Sequence, residues 1–334
     1  MPKPFRYTTP VPPRSATGRV AEVYRQLGED FGIEGASTFV VLSSAPDLLA
    51  PAWALMRESL IAGAGTRTDR ELVAAGVSQA NRCPFCVDAH TMLLHATGDH
   101  RLAESLARGE TPSDERHARV LDWGRATRTP GSPDLTPLPF PRAEAAAHLG
   151  TAFAFHFINR IVSALLTENL LPCNAQRLRC VRSLAGRSLA RTVRGHHAPG
   201  ASLALLDDPG QGPAWAAGTT VGPAYAALGA AASMGAGLLD DVELTLVDEA
   251  VAAWDGSHPP VAWDELPARD RRPGARLAIL AALAPYRITD EDVAAWLKPP
   301  FTEHCLVHLI AYGAFAAIDR IESELPLPAL LETP

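Results

Sequence analysis

Charge is scarce in this 334-residue chain: Asp, Glu, Lys and Arg make up 20% of it, and the formal net charge is −7. No stretch concentrates Lys and Arg among aromatics, so the positive field that phosphate binding needs is missing and nucleic acid is not expected as a partner. One local basic run exists, Arg177, Arg179, Arg182, Arg187, Arg191 and Arg194, and its spacing predicts a solvated helix face. β-Branched residues are few, and no segment sustains the alternation of a half-buried strand. No eighteen-residue stretch is strongly apolar throughout, so no membrane-spanning helix is expected. The opening, Met1-Pro2-Lys3-Pro4-Phe5-Arg6, lacks the apolar core of a signal peptide. With only five cysteines, the setting expected is a reducing cytoplasm, where a close cysteine pair serves catalysis or metal binding rather than stapling.

What is there is helix-forming. Apolar residues are 47% of the chain, which excludes wholesale disorder, and abundant Ala and Leu predict an all-α fold. Residues 1–14 are proline-rich and expected to be extended. Helices are predicted near 16–31, 47–63, 68–80, 83–97, 99–108, 112–127 and 142–168, with a proline-rich loop from Thr129 to Pro141. In the second half they are predicted near 177–194, 224–239, 240–254, 273–284, 289–296 and 302–322. Two segments echo each other about 160 residues apart: Phe157-Ile158-Asn159-Arg160-Ile161 and Ala317-Ile318-Asp319-Arg320-Ile321. The echo predicts a duplicated helical module, residues 15–172 and a degenerate copy over 173–334.

The densest chemistry lies in Cys83-Pro84-Phe85-Cys86, with His90 four residues on. Asn81 is expected to cap a helix that has Pro84 in its first turn. Cys83 and Cys86 then sit one turn apart, close enough for a disulfide, with His90 a further turn along the same face. A cysteine in the first turn feels the positive end of the helix dipole, which favours the nucleophilic thiolate, and the histidine can move its proton.

Glu71, twelve positions before Cys83, completes a pattern with Cys83, Cys86 and His90 that resembles the alkylhydroperoxidase D-like branch of the carboxymuconolactone decarboxylase superfamily. Arg70-Glu71-Leu72-Val73 and Phe155-His156-Phe157-Ile158-Asn159-Arg160 support the resemblance, which covers about residues 45–170. It implies an all-helical bundle, no metal or haem cofactor, and assembly into trimers or hexamers. It also implies that Cys86 attacks a hydroperoxide and becomes a sulfenic acid, that Cys83 resolves it as a disulfide, and that Glu71 and His90 relay protons. The reductant implied is a dithiol carrier of the lipoamide type or another thiol donor. Phe85 departs from relatives with a histidine there, and an apolar ring beside Cys86 is expected to raise its pKa. Two other readings stand beside the peroxidase: a redox-sensing or disulfide-exchange scaffold, and a lactone enzyme of the decarboxylase type.

Elsewhere the expectations are structural. A zinc site from Cys83, Cys86, His90 and His95 is disfavoured because ligands along one helix do not converge tetrahedrally. Asp88 is expected to be solvated, His156 and Asn159 to be hydrogen-bonded in the core, and Cys173 and Cys180 to be packing residues. His304, Cys305 and His308 are read as core or interface, and Trp254, Trp263 and Trp296 as packing anchors.

Overall fold

The computed structural model describes residues 4–327 apart from Asn169 and Pro209. The fold is all-α: fourteen α-helices and several single turns, with no strand among the described residues. The first half holds α1 (Gly18–Gln26), α2 (Ser37–Val40), α3 (Pro46–Met56), α4 (Arg67–Ala80), α5 (Pro84–Thr97), α6 (His100–Ala107), α7 (Glu115–Ala126) and α8 (Ala145–Leu165). The second holds α9 (Arg179–Val193), α10 (Val221–Ser233), α11 (Asp241–Ala252), α12 (Pro273–Leu283), α13 (Asp290–Trp296) and α14 (Glu303–Glu324). Two of the expected helices end in π-helical turns, Leu27–Phe31 after α1 and Arg57–Ile61 after α3.

Helix α8 is the axis of the molecule. It is apolar on every side rather than on one stripe, the signature of a helix enclosed by others, and α3, α4, α12 and α14 all pack on it. The two echo segments lie on α8 and α14, which touch each other. One continuous apolar core runs through both halves, from Val23 and Trp53 to Leu280 and Ile318. By length and mean hydropathy α14 could cross a membrane, against the expectation that no segment would. Its apolar face is instead spent on that core, where Leu306, Leu309, Ala314 and Ile318 are fully enclosed.

Two close crossings place the site. In α4, a Cβ at Gly76 would run into the Leu121 carbonyl of α7, and one at Gly124 would meet the Val73 carbonyl at 2.6 Å. The absence of side chains here lets the two backbones touch. On its other flank α5 packs against α9, which crosses from the second half. The arginine run on α9 is mostly exposed, but Arg182 is buried and paired with Glu104 at 2.7 Å, so that position departs from the solvated face.

Candidate active site

Helix α4 starts at Thr66, whose hydroxyl accepts the Asp69 N–H at 3.1 Å, a cap worth about 1 kcal/mol. It ends at Asn81 rather than handing over to α5 there: the Asn81 N–H still donates to the Val77 carbonyl. Arg82 then takes a left-handed conformation (φ 54°), and Cys83, not Asn81, is the N-cap of α5, with Pro84 at its first position. The Asn81 side chain is unavailable for capping because a buried network claims it. Its amide donates to Asn159 at 3.0 Å and contacts His156 Nδ1 at 3.1 Å, while its oxygen accepts from Arg128 at 2.6 Å. His156 and Asn159 are thus core residues, as their setting in an apolar helix suggested.

The Cys83 and Cys86 sulfurs are 3.0 Å apart, both free and both buried. Burial pushes the Cys86 thiol well up, and the neighbouring Cys83 adds to it. Burial also raises Cys83, but the Cys86 thiol, the Cys86 backbone N–H and the Ser163 hydroxyl outweigh it and draw Cys83 below its ordinary value. The hydrogen bonds at the N-terminal turn therefore favour thiolate at the capping cysteine over Cys86.

One turn beyond Cys86, His90 is 2% exposed and its Nδ1 lies 2.6 Å from Glu71 Oε2. Glu71 is fully buried and accepts from Arg67 Nε at 2.7 Å, one turn back on α4. Burial alone would raise the Glu71 carboxyl, but the Arg67 charge and the His90 hydrogen bond hold it below its usual value. A carboxylate only accepts, so Nδ1 carries the hydrogen. His90 Nε2 has no hydrogen-bond partner among the described residues and is left free for proton exchange. The Phe155 ring sits edge-on against the imidazole, centroids 4.4 Å apart, and fixes its plane.

The two thiols face different spaces. Cys86 and His90 line a small apolar cavity of about 40 Å³ with Phe39, Leu60, Leu93 and Phe155. Cys83 lines a wider one of about 450 Å³ with Arg6, Arg82, Ser163, Glu168 and Tyr286. Phe85 borders both and is the partition between them. Arg6 reaches the wide cavity because its segment pairs with the end of α8, Arg6 N–H donating to the Leu165 carbonyl at 3.0 Å. Tyr286 comes from the second half, where it contacts His258, whose Nε2 lies 2.9 Å from the Ala80 carbonyl at the end of α4.

The structure thus brings all four expected residues, Glu71, Cys83, Cys86 and His90, to one place. Sequence reasoning did not pick out Arg67, Ser163, Arg82, Arg6 or Tyr286 for the site. Only Arg67 carried a signal, its i, i+4 spacing to Glu71. Cys173, Cys180 and Asp88 depart from expectation. Cys173 and Cys180 are exposed rather than packed, and Asp88 is half-buried, accepting from Gln176 at 2.9 Å. His95 Nε2 lies 2.8 Å from Glu104 Oε1. His308 lies 3.3 Å from Asp47 and His304 Nδ1 2.9 Å from the Ser44 carbonyl, tying α14 to the start of α3. Trp254 is a packing anchor of a particular kind, lying under the buried guanidinium of Arg128 at 4.9 Å.

Residues 47–103, from α3 through the start of α6, match the carboxymuconolactone decarboxylase family. Over 324 residues the chain is 39% identical to the alkyl hydroperoxide reductase Rv2159c of Mycobacterium tuberculosis, covering 93% of this chain and 92% of the relative. No solved structure matches.

Proposed function

The chain belongs to the alkylhydroperoxidase D-like proteins of the carboxymuconolactone decarboxylase family, and from that premise we propose that it reduces hydroperoxides through a Cys83–Cys86 disulfide cycle. The observation that carries this reading is a buried thiol pair at 3.0 Å beside a histidine whose Nδ1 is fixed by Glu71 and whose Nε2 is free. Nothing in that arrangement serves a structural staple.

His90 Nε2, which makes no hydrogen bond to Cys86 in the resting arrangement, takes the proton of that thiol through one intervening water, a step made necessary by burial of the thiol. The Cys86 sulfur attacks the peroxide: an S–O bond forms, the O–O bond breaks, and the departing alkoxide leaves as alcohol with the proton from His90. Cys83 then attacks the sulfenic sulfur, expelling water and forming the disulfide, for which the sulfurs close by about 1 Å to bonding distance. A dithiol reductant attacks Cys83 from the wide cavity, forms a mixed disulfide and releases Cys86 as a thiol; its second thiol then attacks the mixed disulfide, freeing Cys83 and leaving as the oxidised carrier disulfide. The cavity on Cys86 is small and almost wholly apolar, so hydrogen peroxide fits it, and a bulky alkyl group reaches Cys86 more readily if Phe85, which borders both cavities, swings aside. Residues 173–334 supply no second pair; in this reading they hold the site, through α9 against α5 and through Tyr286.

One observation favours exchanged roles: Cys83 is the more acidic thiol and opens on the larger cavity. The two assignments separate in the serine variants. With Cys86 attacking, Cys83→Ser retains a sulfenic acid that a dimedone-type probe traps after one equivalent of peroxide, and Cys86→Ser traps none. The opposite pattern assigns attack to Cys83. Wild type losing no thiols to peroxide would end the peroxidase reading altogether.

A further inference from the structure

Away from the thiols, the start of α8 comes against the first turn of α4. There Asp69, Glu144 and His148 each offer a ligand atom, all within 4.8 Å of one another. We propose that these three side chains form a binding site for a divalent first-row transition-metal ion of the zinc class, independent of the redox pair.

Three observations support it. His148 is fully buried, and its Nδ1 lies 2.9 Å from the Glu144 carbonyl, an acceptor, so the ring hydrogen is on Nδ1 and Nε2 presents a lone pair. Among the described residues that Nε2 has no hydrogen-bond partner, and neither does the buried Glu144 Oε2. Two orphaned polar atoms converging in one spot each forfeit a hydrogen bond, a cost native interiors rarely bear without a ligand. Space is also kept for the carboxylate: Gly65, in a left-handed conformation (φ 86°), lies so close to Glu144 that any Cβ there would strike Oε2. The ring is held rigid by stacking on Phe140, centroids 4.0 Å apart and planes 9° from parallel.

The donor set is one imidazole and two carboxylates, which suits Zn²⁺ and its neighbours better than Mg²⁺ or Ca²⁺, whose sites are built from oxygen alone. Bonds of about 2.1 Å put tetrahedral ligands about 3.4 Å apart, so the side chains draw in by at most about 1.4 Å. Asp69 already accepts two hydrogen bonds from Arg116, at 2.6 and 2.9 Å. A carboxylate has lone pairs for both tasks, and Arg116 then becomes the outer group that orients the ligand. Arg70 brings a second positive charge, but its guanidinium is committed to the carbonyls of Leu60, Ala64 and Gly65. A bound ion clamps α8 to the helix that carries Arg67 and Glu71.

The test is titration of the full chain with ZnCl₂ by calorimetry and with CoCl₂ by absorption, because the cysteines bind these ions too. The expected result is one site whose cobalt spectrum lacks the thiolate charge-transfer band and which survives in Cys83→Ser/Cys86→Ser. Glu144→Gln, at a half-buried position, and His148→Gln should each weaken that site at least 10-fold, the lower end of what loss of one ligand-shell group costs. Circular dichroism checks that both variants are folded, and Glu144→Gln alone suffices if His148→Gln is not. Equal affinity in wild type and Glu144→Gln, or a cobalt spectrum showing thiolate ligation only, overturns the proposal.

Discussion

Replacing Glu71 with Gln tests the relay most directly, because it removes a charge while nearly preserving shape. Glu71 accepts from Arg67 Nε at 2.7 Å and from His90 Nδ1 at 2.6 Å, with no exposure to water. A glutamine retains one acceptor and turns an NH₂ donor toward the other donor. Breaking a buried ion pair by removing one partner costs about 3–5 kcal/mol, against the roughly 5–15 kcal/mol that holds a typical domain folded. The catalytic loss is separate. Without the carboxylate the imidazole is free to carry its hydrogen on either nitrogen and no longer presents Nε2 as a base, so general-base assistance of about 10²–10⁴-fold is forfeited. Urea unfolding measures the first effect and stopped-flow oxidation by hydrogen peroxide the second. The pH profile supplies a third reading. Glu71 is held below its unfolded value, so its contribution to stability is complete above about pH 4.3 and is lost as pH falls through the lower folded value. Glu71→Gln removes that part of the acid sensitivity. A folded Glu71→Gln protein that oxidises as fast as wild type refutes the relay.

Phe85→Ala should cost about 3–5 kcal/mol as a truncated buried ring and open the 40 Å³ cavity to the 450 Å³ one. Turnover of cumene hydroperoxide should then rise relative to hydrogen peroxide; an unchanged ratio means Phe85 does not gate access. Gly76→Ala gains about 1 kcal/mol of helix propensity but must push α4 from α7 at the Leu121 carbonyl. Overpacking of about 1–3 kcal/mol outweighs the gain, so thermal unfolding should come several degrees lower, and an unchanged midpoint would show that the crossing has slack.

Periodicity located the helices to within a few residues, since Ala, Leu and Arg in these runs favour one local conformation whatever surrounds them. The short α2 was missed because four residues carry too little pattern. Caps were harder: Asn81 is a good N-cap by type, yet its amide was worth more to Arg128 and Asn159 inside the core. The exposure of Cys173 and Cys180 and the burial of Arg182 went unread for the same reason, because each depends on what another helix brings to that spot. The α14 sequence would suit a membrane as well as a core, and only its neighbours distinguish the two.

The CPFC stretch itself marks the boundary between the two kinds of knowledge. That two thiols lie one helical turn apart with a histidine a turn further on follows from the sequence alone, because helix geometry sets distances between i, i+3 and i+4 neighbours. That Cys86 looks into a small, almost wholly apolar space and Cys83 into a wider one with charged walls does not. Those walls come from Phe39, Phe155, Arg6 and Tyr286, up to about 200 residues away along the chain, and a local pattern carries no record of which distant side chains will close around it.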